Sequence, residues 1–549
     1  MTKWTDPIEW AAYHRRLHRN VLIYIAFLCT LIGAMAWAER WGLSRNLIGP
    51  IFLFSTVMIY ALIGISGRTS DEDEYYVAGR RIPAMYNGMA TAADWMSAAS
   101  FISLAGALYL QGFSGSGQQP GGLAYVMGWT GGFCLVALLI APHLRAMKLY
   151  TLPDYFDHRY GGRWPRIIAA LASVLCSFTY VVAQIYGIGL IASRLTGVQF
   201  EIGILLGLGG VLLCSFLGGM RAITWTQVAQ YIMLLLAFMI PVSWLAYKQL
   251  GTPLAPLFYG QQLVHIEAIE KRLMTDPGEI EVSQEFARRA KVFENRLVNV
   301  EQSMLQLRHE LEEKIRVLKS NAADYASIAQ ARRELLAVPR DAATAREQWT
   351  RAMHENQERA KPLGGMPPHA RAFPGNPEGS PDEVRLFDSS RLNFLALVFC
   401  LMVGTAGLPH LLTRFYTSPS VAETRSSVAW SLFFIGLLYI SVPALAVLVK
   451  FEVLNHLVGS SFEDLPSWMA QWARLDSALL EFSDVNGDRV LQLGELKLGA
   501  DMIMLATPEL GGMPFVVSGL VAAGGLAAAL STADGLLLTI SNALVRDIG

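Results

Sequence analysis

The sequence predicts an all-α polytopic membrane protein, and three observations carry that prediction. Hydrophobic residues make up 53% of the 549 positions and charged residues only 16%, which is too apolar for an ordinary soluble protein. The apolar residues fall in stretches close to the roughly 20 residues that a bilayer-spanning helix needs. One stretch, Met89 to Leu110, carries an acid, Asp94, with the hydroxyls Ser97 and Ser100 near its middle. A carboxylate in hydrocarbon costs roughly 2.5–3.5 kcal/mol on insertion scales, so it is expected to face an ion, a substrate or a polar partner inside a bundle. The net charge of −1 says little, because the charges are segregated along the chain; nucleic acid is not an expected partner.

The apolar stretches are 21–37, 47–65, 89–110, 123–141, 167–192, 202–217, 228–246, 392–412, 428–448 and 515–545, ten in all. The last is long enough to tilt or to contain a break. Basic residues precede the first stretch and Ala34-Met35-Ala36 resembles a leader cleavage site, but Trp37, Glu39 and Arg40 are poor surroundings for cleavage. A second stretch follows almost at once, so an uncleaved anchor is the simpler reading. Cys29, Cys134, Cys176, Cys214 and Cys400 all lie in apolar stretches without metal-ligand spacing, and read as small core residues.

Short loops set the orientation. Arg68, Arg80 and Arg81 lie in one, and Arg145, Lys148, Arg159, Arg163 and Arg166 in another two spans later, which places both in the cytoplasm of a cell membrane. Counting outward gives a cytoplasmic N-terminus, 111–122 outside, 218–226 inside, 250–390 outside, 414–425 inside and 450–511 outside. The charged 251–390 segment departs from the rest in composition. From Leu297, the residues Val300, Met304, Leu307, Leu311, Ile315 and Leu318 recur at spacings of three and four, an amphipathic helix. With the charged stretch to Lys361 it predicts an extracytoplasmic helical hairpin, closed by a Pro/Gly-rich linker from Pro362 to Pro381. The hairpin is a candidate surface for a protein partner, although self-packing accounts for its pattern.

In the second outer segment, after a helix expected over Ser467 to Phe482, Asp484-Val-Asn486-Gly-Asp488-Arg-Val490-Leu-Gln492-Leu-Gly-Glu495 resembles an EF-hand calcium loop. Asp484, Asn486, Asp488, the Val490 carbonyl, Gln492 and both oxygens of Glu495 would supply oxygen ligands suited to a hard cation. Arg489 stands at the sixth position, where the sharp turn favours glycine, and adds positive charge beside the ion; an acid-rich surface turn is the competing reading.

Several further motifs occur in a fixed order. Asp73-Glu-Tyr-Tyr-Val-Ala-Gly79-Arg-Arg-Ile-Pro83 approaches the acid-bearing segment, and Thr151-Leu-Pro153-Asp154 opens a later loop. Gly218-Gly-Met-Arg-Ala-Ile-Thr-Trp225-Thr-Gln227 enters a span, and Gly407-Leu-Pro409-His410-Leu-Leu-Thr-Arg414 closes another. Together they resemble the sodium:solute symporter family over about 47–250 and 391–549. Ala-Ala-Asp94-Trp-Met-Ser-Ala-Ala-Ser and Gly404-Thr-Ala-Gly-Leu-Pro-His410 are most similar to its acetate permease (cation/acetate symporter) branch.

The resemblance implies a leucine-transporter-like inverted-repeat core with two extra N-terminal helices, and a secondary active transporter coupling a cation to a short monocarboxylate. Broken helices in such folds present half-helix N-termini to anions and unwound carbonyls to cations. The implied organisation is 1–83 for the N-terminal segment and extra helices, 84–250 for core helices 1–5, 251–390 for the hairpin insertion, 391–450 for core helices 6–7, 451–511 for the outer loop and 512–549 for core helix 8. By resemblance, sodium is held by the carbonyls of Ala93, Met96 and Ala528 and the hydroxyls of Ser531 and Thr532. Asp94, Ser97, Ser100, Gly407, Pro409, His410 and Asp534 are the substrate or coupling candidates, with Asp94 and Asp534 as carriers if the ion is a proton. Many relatives carry Asp where this sequence has the neutral Gln227, which puts a second cation site in doubt and favours sodium at Ser531 and Thr532 alone.

Because about eight of ten core helices are accounted for by Gly549, the resemblance also implies a chain truncated at its C-terminal end. The alternative reading is a transporter-like membrane sensor, for which the hairpin and calcium-like loop would be the sensory parts. No nucleotide loop, catalytic metal cluster or nucleophile motif points to an enzyme.

Overall fold

The computed structural model describes residues 7–321 and 324–548. Among them, eight helices are long and apolar enough to cross a membrane: Trp10–Arg40, Arg45–Ser66, Leu123–Ala146, Arg163–Ser193, Gly218–Leu250, Pro381–Ala406, Val421–His456 and Phe515–Ile548. The two remaining apolar stretches fall short of that length for separate reasons. Stretch 89–110 is divided between the helix Ala84–Trp95 and a second piece that runs through Ala99–Ser103 to Leu104–Gln111. Stretch 202–217 runs on into the next span as one helix, Phe200–Leu250, broken only at Gly219 (φ 52°, ψ −144°).

That break corrects the expected cytoplasmic loop at 218–226. A Cβ on Gly219 would lie 2.6 Å from the Tyr75 carbonyl oxygen, and the positive φ suits glycine alone. The chain turns there within one residue and resumes as helix, with Ala222, Ile223 and Thr224 fully buried.

Connections segregate to two ends of the bundle. At one end Arg80 donates to the carbonyl of Lys148, Arg145 to those of Ser418 and Pro419, and Arg166 pairs with Asp547. At the other, Phe113 donates to the His369 carbonyl, and Glu39 accepts from the amides of Phe515 and Val516 at the start of the last long helix. Carboxylates at a helix N-terminus satisfy donors that have no partner within the helix.

The 251–390 segment forms its own helical layer. Pro277–Val298 packs on Ala342–Arg359 and Val300–Ser320 on Tyr325–Ala337, around Val300, Met304, Ala345 and Trp349. Helix Gly260–Leu273 ties this layer to the bundle. Its Glu270 lies 3.3 Å from Lys450 of the long helix Val421–His456, both buried, and the Lys450 ammonium sits 5.7 Å above the Tyr109 ring.

Two expectations give way here. The helix from Ser467 ends at Leu475 and not at Phe482; Asp476 turns the chain, and Leu480–Phe482 pairs antiparallel with Leu496–Leu498, in register Leu480 to Leu498. The buried sides of Leu479 and Leu480 suit strand and helix equally, so the sequence pattern did not separate them. The four described cysteines are not core residues: Cys29, Cys176 and Cys400 are exposed and Cys134 is intermediate, while the side chain of Cys214 lies outside the described set. In a membrane bundle, an outward cysteine meets lipid and loses nothing by its position.

Helix Ala500–Leu510 lies against the second piece of the broken helix so closely that a Cβ on Gly106 would stand 2.0 Å from the Ala500 carbonyl oxygen. Gly106→Leu is therefore expected to cost about 3 kcal/mol or more by overpacking, read as a lowered unfolding temperature of the purified protein, whereas Gly33→Leu, with nothing within 4 Å, is expected to leave it unchanged.

Candidate functional site

The site is built where the broken helix ends its first piece. After Trp95 the backbone leaves helical geometry at Met96 (φ −81°, ψ 74°) and resumes at Ala98. Local and distant groups hold the break open. The Ser97 amide donates to the Trp95 carbonyl, the Ser100 hydroxyl reaches the carbonyls of Trp95 and Ser97, and the Ala98 amide donates to Gln184 Oε1 at 3.0 Å. Gln184, fully buried on helix Arg163–Thr196, is a residue supporting the break that the sequence reading passed over; its signal was an amide inside an apolar span.

Asp94 is 1% exposed. Its Oδ2 accepts from Arg414 Nε and its Oδ1 from Gln227 Nε2, each at 2.5 Å. Arg414, fully buried, also donates to Thr224 Oγ1 at 2.9 Å and to Gln227 Oε1. Gln227 Nε2 further donates to the Ser531 carbonyl at 2.8 Å. This network corrects the placement of Arg414 in a cytoplasmic loop. Past Gly407 the chain turns back inward through the short helix Pro409–Thr413 and the turn Arg414–Thr417, all buried from Pro409 onward. Gln227, read as the loss of a cation attraction, is the hinge that binds the acid, the guanidinium and helix Phe515–Asn542 together.

The residues named as sodium ligands gather beside this network. The Ser531 hydroxyl donates to the carbonyls of Ala93 (2.8 Å) and Ala528 (3.0 Å). The Thr532 hydroxyl donates to the carbonyls of Asp94 (3.1 Å) and Ala528 (3.2 Å). Two hydroxyls and carbonyls from two helices thus face each other at the break, a donor set of neutral oxygens that suits an alkali cation. Met96 occupies the cap of the first piece, immediately beyond these carbonyls.

Next to the break lies a cavity of about 230 Å³, lined on its polar side by Asp94, Ser97, Ser100 and His410 and on its apolar side by Trp95, Trp129, Tyr180, Leu408, Leu411 and Tyr439. His410 is 1% exposed, and neither ring nitrogen has a hydrogen-bond partner; its ring stands edge-on to Tyr180 with centroids 5.9 Å apart. Buried polar atoms are normally satisfied, so the two ring nitrogens of His410 are available to a polar group or water that enters the cavity. Gly407 and Pro409 shape the inward turn and do not line the cavity, and Asp534, also buried, lies outside its lining.

The 484–495 loop is separate from this site. Asp484 accepts from the amides of Gly487 and Arg489, Asn486 from Asp488, and Asp488 from Val490, while the fully buried Glu495 accepts from Val485 and Gln492. Arg489 takes the left-handed conformation (φ 63°) that the sixth position of such a loop requires, in spite of its side chain. Burial pushes the carboxyls of Glu495 and Glu279 above the ordinary range. Among the described residues, no three His, Cys, Asp or Glu side chains converge as metal ligands; the loop's acids serve its own amides. Its far end is fixed to the hairpin layer, with the amides of Leu493 and Gly494 on Glu279 and the Gly494 carbonyl on Arg359.

A bundle in which a membrane helix breaks at a buried cavity, facing a hydroxyl pair on a later helix, has an arrangement that recurs in secondary transporters. The fold matches the substrate-bound outward-open state of a Na+-coupled sialic acid symporter with a TM-score of 0.54, at 14% identity and covering 92% of this chain and 75% of that one. The family model for the sodium:solute symporter family matches residues 75–292. An uncharacterized symporter of Cupriavidus necator is 50% identical over 543 residues, 97% of this chain and 77% of that protein. The chain belongs to the sodium:solute symporter family, a family of transporters.

The Asp94–Arg414 pair yields a direct expectation. Removing one partner of a buried ion pair strands the other charge and costs about 3–5 kcal/mol. Arg414→Met and Asp94→Asn alone are each expected to lower the unfolding temperature markedly, whereas the double variant, which leaves no charge unpaired, recovers most of the loss. Thermal unfolding of the purified proteins in one detergent measures both; additive losses would show that the pair is not coupled.

Proposed function

We propose that this protein is a sodium-coupled symporter that carries a short-chain monocarboxylate, such as acetate, into the cell by alternating access, with its N-terminus in the cytoplasm. The observation that carries the reading is the cavity at the helix break, where an unpartnered imidazole, His410, and the start of the second half-helix at Ala99 and Ser100 face the same space. A half-helix N-terminus attracts a carboxylate, and an imidazole N–H adds a directed donor. The walls of Trp95, Trp129, Tyr180 and Tyr439 suit an apolar tail, so the cavity accommodates homologues longer than acetate.

Sodium in this reading sits between the carbonyls of Ala93, Met96 and Ala528 and the hydroxyls of Ser531 and Thr532. It competes for oxygens that otherwise hydrogen-bond across the break, so its binding and the shape of the cavity are linked. Ser97, Ser100 and His410 act on the solute. Asp94, satisfied by Arg414 and Gln227, acts through position and not as a ligand or proton carrier. Asp534 remains the candidate for proton linkage. The likeness of the Asp94 and His410 motifs to the acetate permease branch supports the choice of solute.

Uptake of labelled acetate, propionate and butyrate by proteoliposomes, driven in turn by sodium and by pH gradients, tests the reading. Sodium-driven uptake is expected for all three, and no uptake under either gradient overturns it. Thr532→Ala is expected to raise the sodium concentration for half-activation about tenfold, equivalent to roughly 1.4 kcal/mol, at little change in the solute KM. His410→Ala is expected to do the reverse, raising the solute KM with sodium activation retained.

A further inference from the structure

A cleft larger than the cavity at the helix break lies elsewhere on the bundle. It measures about 540 Å³ and lies between helices Pro7–Arg40, Arg45–Ser66 and the part of Phe200–Leu250 that follows Gly219. Helix Pro7–Arg40 leaves it open, because only 6% of that helix's apolar window is buried. Trp225 lines the cleft, while Gln227, two residues on and across the helix, faces Asp94; the two spaces are separated by the thickness of one helix.

The cleft is polar at one end only. Tyr24, Phe27, Ile63 and Ile232 form its apolar depth, and the polar Asn20, Ser66 and Arg221 collect at its mouth. From Arg221 to Ile232 a helix rises roughly 16 Å, which runs from the membrane interface well into the hydrocarbon. At the mouth, Glu74 is shared by the guanidiniums of Arg221 and Arg81, so this trio carries one net positive charge. Of the acids that precede Glu74, Glu72 pairs with Arg546, Asp73 accepts from Tyr150 and Asp71 caps the short helix Glu72–Val77. An apolar slot of this depth, open to the bilayer, with cations at the headgroup level, matches an anionic amphiphile; a transmembrane helix of another chain would leave the excess charge unanswered.

We propose that this cleft holds an acyl chain of one anionic phospholipid drawn from the surrounding bilayer, with the headgroup phosphate at Arg221. The bound lipid props the loosely packed first helix against the helix that carries Gln227 on its other face.

The test uses the full chain, stripped of lipid in detergent and re-lipidated with dioleoylphosphatidylglycerol or dioleoylphosphatidylcholine, with retained lipid read by native mass spectrometry. One phosphatidylglycerol per chain is expected, held at least tenfold more tightly than phosphatidylcholine. Ile63→Trp, which fills the cleft, is expected to abolish retention of both, and Arg221→Gln to level the two lipids. Equal retention of the two lipids by the unsubstituted chain, or phosphatidylglycerol retention unchanged by both substitutions, overturns the proposal. A second measurement does not depend on those variants: chain-brominated phosphatidylglycerol is expected to quench the Trp225 component of fluorescence, taken as the difference from Trp225→Phe, at lower mole fraction than brominated phosphatidylcholine. Equal quenching, or a cleft occupied by a second copy of the chain in a lipid-free dimer, also overturns it.

Discussion

A carboxylate placed in the middle of a membrane bundle has to be neutralised, and much of this structure follows from how that is done for Asp94. The counterion, Arg414, comes from more than three hundred residues along the chain. To deliver it, the chain must turn inward after Gly407 and bury the whole of Pro409 to Thr417. The guanidinium has donors to spare after binding Asp94, and these are taken up by Thr224 and Gln227. Gln227 then has an amide N–H that reaches the Ser531 carbonyl. One ion pair thereby fixes the broken helix that starts at Ala84, the helix after Gly219, the inward turn and the last long helix in a common frame, and the break at Met96 is held in that frame.

The same frame sets the chemistry of the neighbouring oxygens. With Asp94 already satisfied by strong, charge-assisted bonds, the polar groups left beside it are neutral carbonyls and hydroxyls. Their hydrogen bonds across the break, at 2.8 Å and 3.1 Å, are the ones that the proposed sodium ion exchanges for its own ligation. The cavity lined by Ser97, Ser100 and His410 adjoins the same short stretch of backbone, so in the proposed function ion and solute share a wall without sharing ligands.

Much of this was legible in the sequence for a plain reason: spanning a bilayer demands about twenty apolar residues, and that demand shows in composition. Asp94 and the hydroxyls Ser97 and Ser100 stood out because polar atoms are rare in such stretches. The break was expected from the family resemblance and not from the local pattern, since Ala-Asp-Trp-Met-Ser is acceptable in a helix and the groups that hold it open include the distant Gln184 and Ser531. Arg414 was misread because a basic residue after Gly-Leu-Pro looks like the cytoplasmic end of a span; only the question of who neutralises Asp94 would have pointed to it. The strand at Leu480–Phe482 and the outward cysteines were missed because burial on one face of a short apolar run has no signature of its own.

The single-residue turn at Gly219 changes how the surface of this protein would be mapped. Hydropathy puts a cytoplasmic loop at 218–226, a natural place to engineer a reporter cysteine or a protease site. Yet Gly67 lies against the backbone of Ala222 and Tyr75 covers Gly219, so a reagent confined to water finds little there to touch. A topology deduced from labelling alone would record that stretch as embedded and lose a pair of crossings, while the exposed helices of the hairpin layer, with Glu313, Arg316 and Arg351 at their surfaces, would report faithfully on the side they occupy.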